Sequence, residues 1–340
     1  MDPEIISAHA DVASDHDRPG FQASIAGCAV FDLSSKARIR VSGSDRVRWL
    51  NGMVTNNIRD LALGQGLYAF LLNPQGRILG DLYAYNVGDE LIVETDKTQL
   101  SKILEIFERY IIMDDVEIAD ITQRQLVIGV VGRKAQTILA ASGLPVPALQ
   151  PLKFATLPWL GKEATIIRGD FPTVETYEIW VAPEDAESAL AAIGNAGAVP
   201  AGATTLERMR IVSGIPRYGS DIREKDLPQE TEQYRALNFN KGCYIGQEIV
   251  ERIRSRGAVH RQFTGFAIDG TLPEPGVEIQ FEGKKVGEIT SVAAVPFGDS
   301  TRNIALGYIR REISALHKSL DGGRFQATPV NVPFSEFFQN

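Results

Sequence analysis

Alternating apolar positions mark short strands at 37–41, 67–72, 78–85 and 90–95. The turn residues Asn73-Pro74-Gln75-Gly76 join the second and third of these into a hairpin. Ser44 is placed to cap a helix running through Leu50. Leu100, Ile103, Leu104, Phe107 and Ile111 recur at the three-to-four spacing of one helix face. The strand pattern returns at 116–121, 125–131, 164–168 and 177–182. Helices are expected between and after these strands, over 133–141 (ended by Gly143), 184–193 and 205–212. Hairpins mixed with crossover helices predict an α+β fold, not a regular βα alternation.

From about Val259 the pattern changes. Strand-like runs at 262–268, 277–281, 285–292, 304–309 and 324–330 are punctuated by glycine and proline, as in Pro273-Glu274-Pro275-Gly276. This predicts a small C-terminal β-barrel over 259–340, with a boundary near residue 258. Residues 1–20 are acidic and polar, with neither a basic nor an apolar leader segment, and are expected to form a mobile extension.

The chain has 340 residues, room for two or three domains. Its net charge of −8 argues against broad nucleic-acid binding, which needs a basic surface. No run approaches the roughly 20 apolar residues of a membrane span. The two cysteines, Cys28 and Cys243, are too far apart in sequence for a metal-ligand spacing and too few for a disulfide framework, so a reducing cytoplasm is the expected setting. His9, His16, His260 and His317 form no ligand spacing either, and no metal site is expected. Asp114-Asp115 reads as a solvated acidic edge, and Gly64-Gln65-Gly66 as a turn.

The densest chemistry lies in the octapeptide Lys241-Gly242-Cys243-Tyr244-Ile245-Gly246-Gln247-Glu248. Glycines beside a thiol let the backbone turn and other groups approach. Lys241, with Arg252, Arg254, Arg256 and Arg261 downstream, would favour a thiolate or a bound anion. Arg252 and Arg256 share a face if that segment is helical. The plain alternatives are a buried, inert cysteine and a solvated arginine face.

This octapeptide resembles the signature K-G-C-[FY]-x-G-Q-E of the YgfZ/Iba57 family, folate-binding relatives of the glycine-cleavage T-protein that serve iron–sulfur cluster assembly. Glu251-Arg252, Arg256-Gly257 and Arg261 extend the likeness, as do Arg210 to Pro216 and Trp49 to Asn56. The resemblance covers roughly residues 25–335. It implies a T-protein-like cloverleaf: two interleaved α+β domains over 21–258, one of them approximately 50–115, and the C-terminal barrel, around a central hole that holds tetrahydrofolate. It also implies iron–sulfur assembly or client proteins as partners.

The resemblance further implies site residues. T-proteins carry paired acids where this chain has Gly80-Asp81. Only Asp81 is kept, and the glycine predicts loss of aminomethyl transfer. The pterin-binding glutamate falls by gapless count on Val174, with Glu175 beside it as the candidate ligand. Arg210 matches a folate-site arginine. Lys241, Tyr244, Gln247, Glu248, Arg252 and Arg256 are the further candidate binding residues, with Cys243 as the working thiol. The expected function is a folate-binding accessory protein for iron–sulfur cluster assembly or repair. An aminomethyltransferase-type enzyme and a folate-gated regulatory protein are the alternatives.

Overall fold

The computed structural model describes residues 17–257 and 259–339. Helix α1 (Arg18–Ala26) leads into β1 (Ala29–Asp32). The chain then builds a separate sheet from β2 (Lys36–Ser42), helix α2 (Arg46–Met53), β3 (Gly66–Leu72), β4 (Ile78–Asn86), β5 (Leu91–Asp96), helix α3 (Lys97–Tyr110) and β6 (Glu117–Asp120). It returns with β7 (Leu126–Val131), α4 (Ala135–Ala141), β8 (Phe154–Trp159), β9 (Lys162–Arg168), β10 (Thr176–Val181), α5 (Ala186–Asn195) and β11 (Val199–Pro200). Helix α6 (Ala203–Val212), a long irregular connection and α7 (Gln247–Arg256) follow. The last unit contains β12 (Arg261–Gly270), β13 (Glu278–Phe281), β14 (Lys284–Phe297), β15 (Ser300–Arg310), α8 (Arg311–Ser314), β16 (Leu320–Asp321) and β17 (Phe325–Val330).

These strands form a five-stranded sheet ordered β3-β4-β5-β2-β6, a six-stranded sheet ordered β11-β1-β7-β10-β9-β8, and a closed barrel ordered β12-β15-β14-β13-β16-β17. The fold is α+β with a C-terminal barrel, as the strand pattern predicts. The five-stranded unit is an insertion between β1 and β7, which pair directly with each other. It spans 36–120, wider than the expected 50–115, because β2 is an interior strand between β5 and β6.

Period-two alternation gives each sheet two unlike faces. In the five-stranded sheet Ala69, Leu71, Leu82, Ala84 and Val93 pack under α3, against Ile103 and Phe107. In the six-stranded sheet Val30, Ile128, Ile166 and Ile179 pack against Leu139, Ala189 and Ile193 of α4 and α5. The remaining faces turn inward. Phe31, Val127, Ile167 and Trp180 share one core with Tyr85 and Ile92 of the inserted sheet and with Phe263, Leu306 and Tyr308 of the barrel. The three units are therefore joined by burial, each large apolar side chain contributing roughly 1.5–3 kcal/mol.

Several local expectations are corrected. Helix α1 starts at Arg18, inside the stretch read as an extension, and residues 1–16 lie outside the described residues. Asp45, not Ser44, is the N-cap position of α2, because the Ser44 hydroxyl and amide both donate to Asp115. Asp114 in turn pairs with Arg48 at 2.6 Å. Both acids of the expected acidic edge thus tie down the loop after α3. Residue 258, where the domain boundary was expected, also lies outside the described residues. No helix among the described residues is long and apolar enough to cross a membrane.

Candidate functional site

The inward face of the inserted sheet is polar where its other face is apolar. Tyr68 pairs with Tyr83, and Phe70 with Asp81, across β3 and β4. The Tyr68 hydroxyl donates to Asp81 Oδ2 and Gln99 Nε2 donates to Asp81 Oδ1, both at 2.7 Å. Burial raises the Asp81 carboxyl above the usual range, opposed by the bonds from Tyr68 and Gln99. Arg235, from the connection between α6 and α7, lies 4.4 Å over the Tyr68 ring and pairs with Asp170. The Tyr83 hydroxyl donates to Asp170 at 3.2 Å.

Gly80 faces the other way. A Cβ there would meet Gln99 Oε1 at 3.1 Å and Ile103 at 3.6 Å, on the α3 side. Alternation makes Asp81 the member of the pair on the polar face, and it is the one this chain keeps. The glycine is no evidence that an acid has been lost from that face. The sequence argument against aminomethyl transfer therefore fails.

The polar face continues across to the six-stranded sheet. Lys36 bridges Glu94, at 2.6 Å, and Glu178. Burial opposes the Lys36 ammonium, but Glu178 and Glu94 outweigh it and hold the charge. Burial raises the Glu94 carboxyl, and the Glu178 charge adds to this. Arg38 stacks 4.7 Å over Trp180. Glu94 Oε2, Glu178 Oε2 and Trp180 Nε1 are buried without a hydrogen-bond partner in the protein. Glu178 is the carboxylate that reaches this face. Glu175 is an odd number of positions away and emerges on the opposite side, beside Arg168 at 3.4 Å. Glu175, the candidate from the sequence count, is therefore not brought together with Glu94 and Lys36.

Arg210 does not reach an open site. Its guanidinium donates to Asp221 at 2.7 Å, to both Glu207 oxygens, to Ser291 Oγ at 2.8 Å and to the Ile215 carbonyl. Burial works against its charge, but Asp221 and Glu207 raise it further above the usual arginine value. With its donors committed, Arg210 ties α6 to the barrel and is not placed to receive a folate carboxylate. Arg261 is likewise taken up, by Asp226, Glu230 and Glu288.

The octapeptide docks on the inserted sheet. Gly246 adopts φ +84°, and a Cβ there would lie 2.5 Å from the Asn73 carbonyl of the β3–β4 turn. Gly76 of that turn also faces α7 closely, a Cβ there lying 2.8 Å from Ile249. Tyr244 is buried with Phe70, Leu72 and Ile78. Gln247 Oε1 accepts from the Tyr244 amide at 3.2 Å and so braces the turn into α7. Lys241 points inward, away from any role beside the thiol, and donates to the carbonyls of Asn51, Val54 and Asn56 at 2.5, 2.6 and 2.8 Å. Glu248 and Arg252 are exposed on α7. Arg254 stacks on Phe239, and the Arg256 side chain lies outside the described residues. Arg59 comes close to the Gly242–Cys243 turn, its Nη2 lying 3.9 Å from a Cβ built on Gly242.

Cys243 is exposed and Cys28 is buried. Burial pushes the Cys28 thiol up to about 11, so at pH 8 only about one Cys28 in a thousand is thiolate. Iodoacetamide is expected to give one adduct on the folded protein, at Cys243, and a second only in denaturant. Mass spectrometry of the adducts reads this directly, and equal labelling of both thiols would contradict it.

Burial, with the Arg59 charge nearby, pulls the Lys241 ammonium down from 10.5 to about 7. Between those values the unfolded chain holds a proton that the folded chain has released. The Lys241 contribution to stability therefore rises with pH across that window. Unfolding free energy measured against pH should show this upward slope, and Lys241→Met should remove it.

The comparisons agree with this architecture. Residues 10–241 match the family model described as the GCVT N-terminal domain, ending at the first residue of the octapeptide. The chain is 28% identical to a chloroplastic putative transferase of Arabidopsis thaliana over 91% of this chain and 71% of that protein. It is also 28% identical to an aminomethyltransferase of Thermus thermophilus, over 82% of this chain and 79% of the other. The crystal structure of glycine cleavage system aminomethyltransferase T from Bartonella henselae superposes with a TM-score of 0.82 at 20% identity, covering 94% of this chain and 89% of that one, and so shares the fold. The match over residues 10–241, on a scaffold of two facing sheets and a closed barrel, shows that this chain belongs to the GCVT family, the T-protein-like proteins.

Proposed function

We propose that the chain is a folate-binding accessory protein of iron–sulfur cluster assembly or repair, with Cys243 as its working thiol. The observation that carries this reading is the exposure of Cys243 on a segment whose neighbours Lys241, Tyr244 and Gly246 are all fixed in the protein. A thiol held out by a docked backbone is placed for exchange with a partner or for transient capture of a cluster or sulfur species.

The polar face suits a reduced folate in kind. A pterin edge offers N–H donors, and Glu94 and Glu178 each keep a buried carboxylate oxygen without a donor. Asp81, Tyr68 and Tyr83 complete a set of acceptors and rings on the same face. Bound folate would supply a one-carbon carrier. The chain's own groups would orient it, with the Asp81 carboxylate held in place by Tyr68 and Gln99. Calorimetric titration with tetrahydrofolate tests the binding, and Asp81→Asn is expected to weaken it by about tenfold, the scale of one charged hydrogen bond. No heat from mono- or polyglutamylated reduced folates would remove this part of the reading. For the thiol, Cys243→Ser should fold normally yet fail to support iron–sulfur enzyme activity in cells lacking the native protein.

Aminomethyl transfer is the second reading, favoured by Asp81 on the polar face and by the names of the relatives. Turnover of an aminomethylated lipoyl arm that is abolished by Asp81→Asn would select it.

A further inference from the structure

Where β9 ends and β10 begins, at the end of the six-stranded sheet, lies an open groove of about 280 Å³. Phe171, Pro172 and Val174 bring apolar groups to its lining, beside Thr173. Its rim carries Arg133, Arg168 and Glu175. Arg168 is held in place by its neighbours. Its guanidinium lies 5.1 Å over the Tyr177 ring, and its side chain is only 17% exposed. Its Nη1 is buried and makes no hydrogen bond, an uncommon state for a buried donor. The contact with Glu175 is loose, 3.4 Å from Nη2 to a single carboxylate oxygen, where a well-formed guanidinium–carboxylate pair uses two shorter bonds. Arg133 donates to the Phe338 carbonyl and brings a second positive charge to the same rim.

The geometry points to a binding site for a small organic carboxylate with a flat apolar body. The body would lie on Phe171, Pro172 and Val174. The carboxylate would replace Glu175 at Arg168, take up the unpartnered Nη1–H and sit in the field of Arg133. A substituted benzoate has both parts, a flat apolar body and a carboxylate. Inorganic phosphate has no apolar body to lay on Phe171 and Pro172 and keeps its hydration instead. Asp81, Glu94 and Glu178 are not among the residues that line it.

Glu175 acts in this arrangement as an internal competitor, which gives the test a sign. Benzoate and inorganic phosphate are titrated separately by calorimetry into the full-length protein and two variants. Benzoate is expected to bind and phosphate not. Arg168→Gln should weaken benzoate binding about tenfold or more, the scale of a lost charge-assisted bond. Glu175→Gln should tighten it severalfold, since it removes the competing charge while leaving Arg168 in place. Should Arg168→Gln fail to fold, the tightening in Glu175→Gln alone carries the test. Equal binding of phosphate, weaker benzoate binding in Glu175→Gln, or no benzoate binding to any folded form would each overturn the proposal. Tetrahydrofolate added in competition separates two sources of the same chemistry. Displacement of benzoate that persists in Asp81→Asn assigns the carboxylate to a folate tail in this groove. Unaffected benzoate binding assigns it to an independent ligand.

Discussion

Arg210→Ala is expected to destabilise the protein by about 3–5 kcal/mol, the loss typical when one member of a buried ion pair is removed. Asp221 is completely buried, and Arg210 is its cationic partner at 2.7 Å. Thr290 and Ser291 also donate to Asp221, at 2.5 and 2.8 Å, but two hydroxyls do not neutralise a carboxylate. The alanine would leave that charge uncompensated between α6 and the barrel. It would also free the Ile215 carbonyl that Arg210 now satisfies. Denaturant unfolding at neutral pH measures the effect. The double variant Arg210→Met, Asp221→Leu should recover much of it, because replacing both charges removes the desolvation problem. A loss below about 1 kcal/mol in the single variant would place the pair among weak surface contacts and refute this account.

The second large effect is expected at Gly246. Alanine there must hold a left-handed backbone, costing roughly 1–2 kcal/mol, and push its Cβ against the Asn73 carbonyl 2.5 Å away. With overpacking of about 1–3 kcal/mol, the total is about 2–5 kcal/mol. The strain should first be relieved by undocking of the octapeptide, so limited proteolysis within 241–248 should accelerate before the whole protein unfolds. Gly52 supplies the opposite control. It sits inside α2, where a Cβ meets nothing within 4 Å. Gly52→Ala is therefore expected to stabilise by up to about 1 kcal/mol, from helix propensity alone. Destabilisation by both substitutions would mean that the segment tolerates no change at all and that the docking argument is wrong.

The parts of the molecule with a strong local period were legible in the sequence. The β3–β4 hairpin, helix α3 and the barrel strands all alternate or repeat cleanly, and each lies near its expected place. Helix α1 was not legible, because residues 1–20 read as an acidic, polar extension, although Pro19 suits the first turn of a helix. Strands β1 and β11 are too short to show a period and are specified only by their partners across the sheet. The site was legible in part. The alternation in 81–85 already places Asp81, Tyr83 and Tyr85 on one face, a signal that could have led to Tyr68 and away from Gly80. Glu178 was not among the residues that the resemblance offered, since a motif count fixes residue type but not strand parity. Arg210 and Lys241 were read as free cations because nothing local reveals a partner eleven or nearly two hundred residues away. Arg235 and Lys36 were missed for the same reason. Their roles arise only when the irregular connection and the two sheets come together.

The insertion of the five-stranded sheet between β1 and β7 has a kinetic consequence. Strand β1 can pair with β7 only after the intervening residues 33–125 have brought their ends together, a junction closed by the Leu33 amide on the Val127 carbonyl and by Arg38 on Gln125. An unstructured loop of that length delays pairing through its closure entropy, whereas a folded insertion with adjacent ends removes most of that penalty. The inserted sheet, built from antiparallel neighbours, should therefore gain amide protection first in pulse-labelled refolding, with β1, β7 and β10 protected together afterwards.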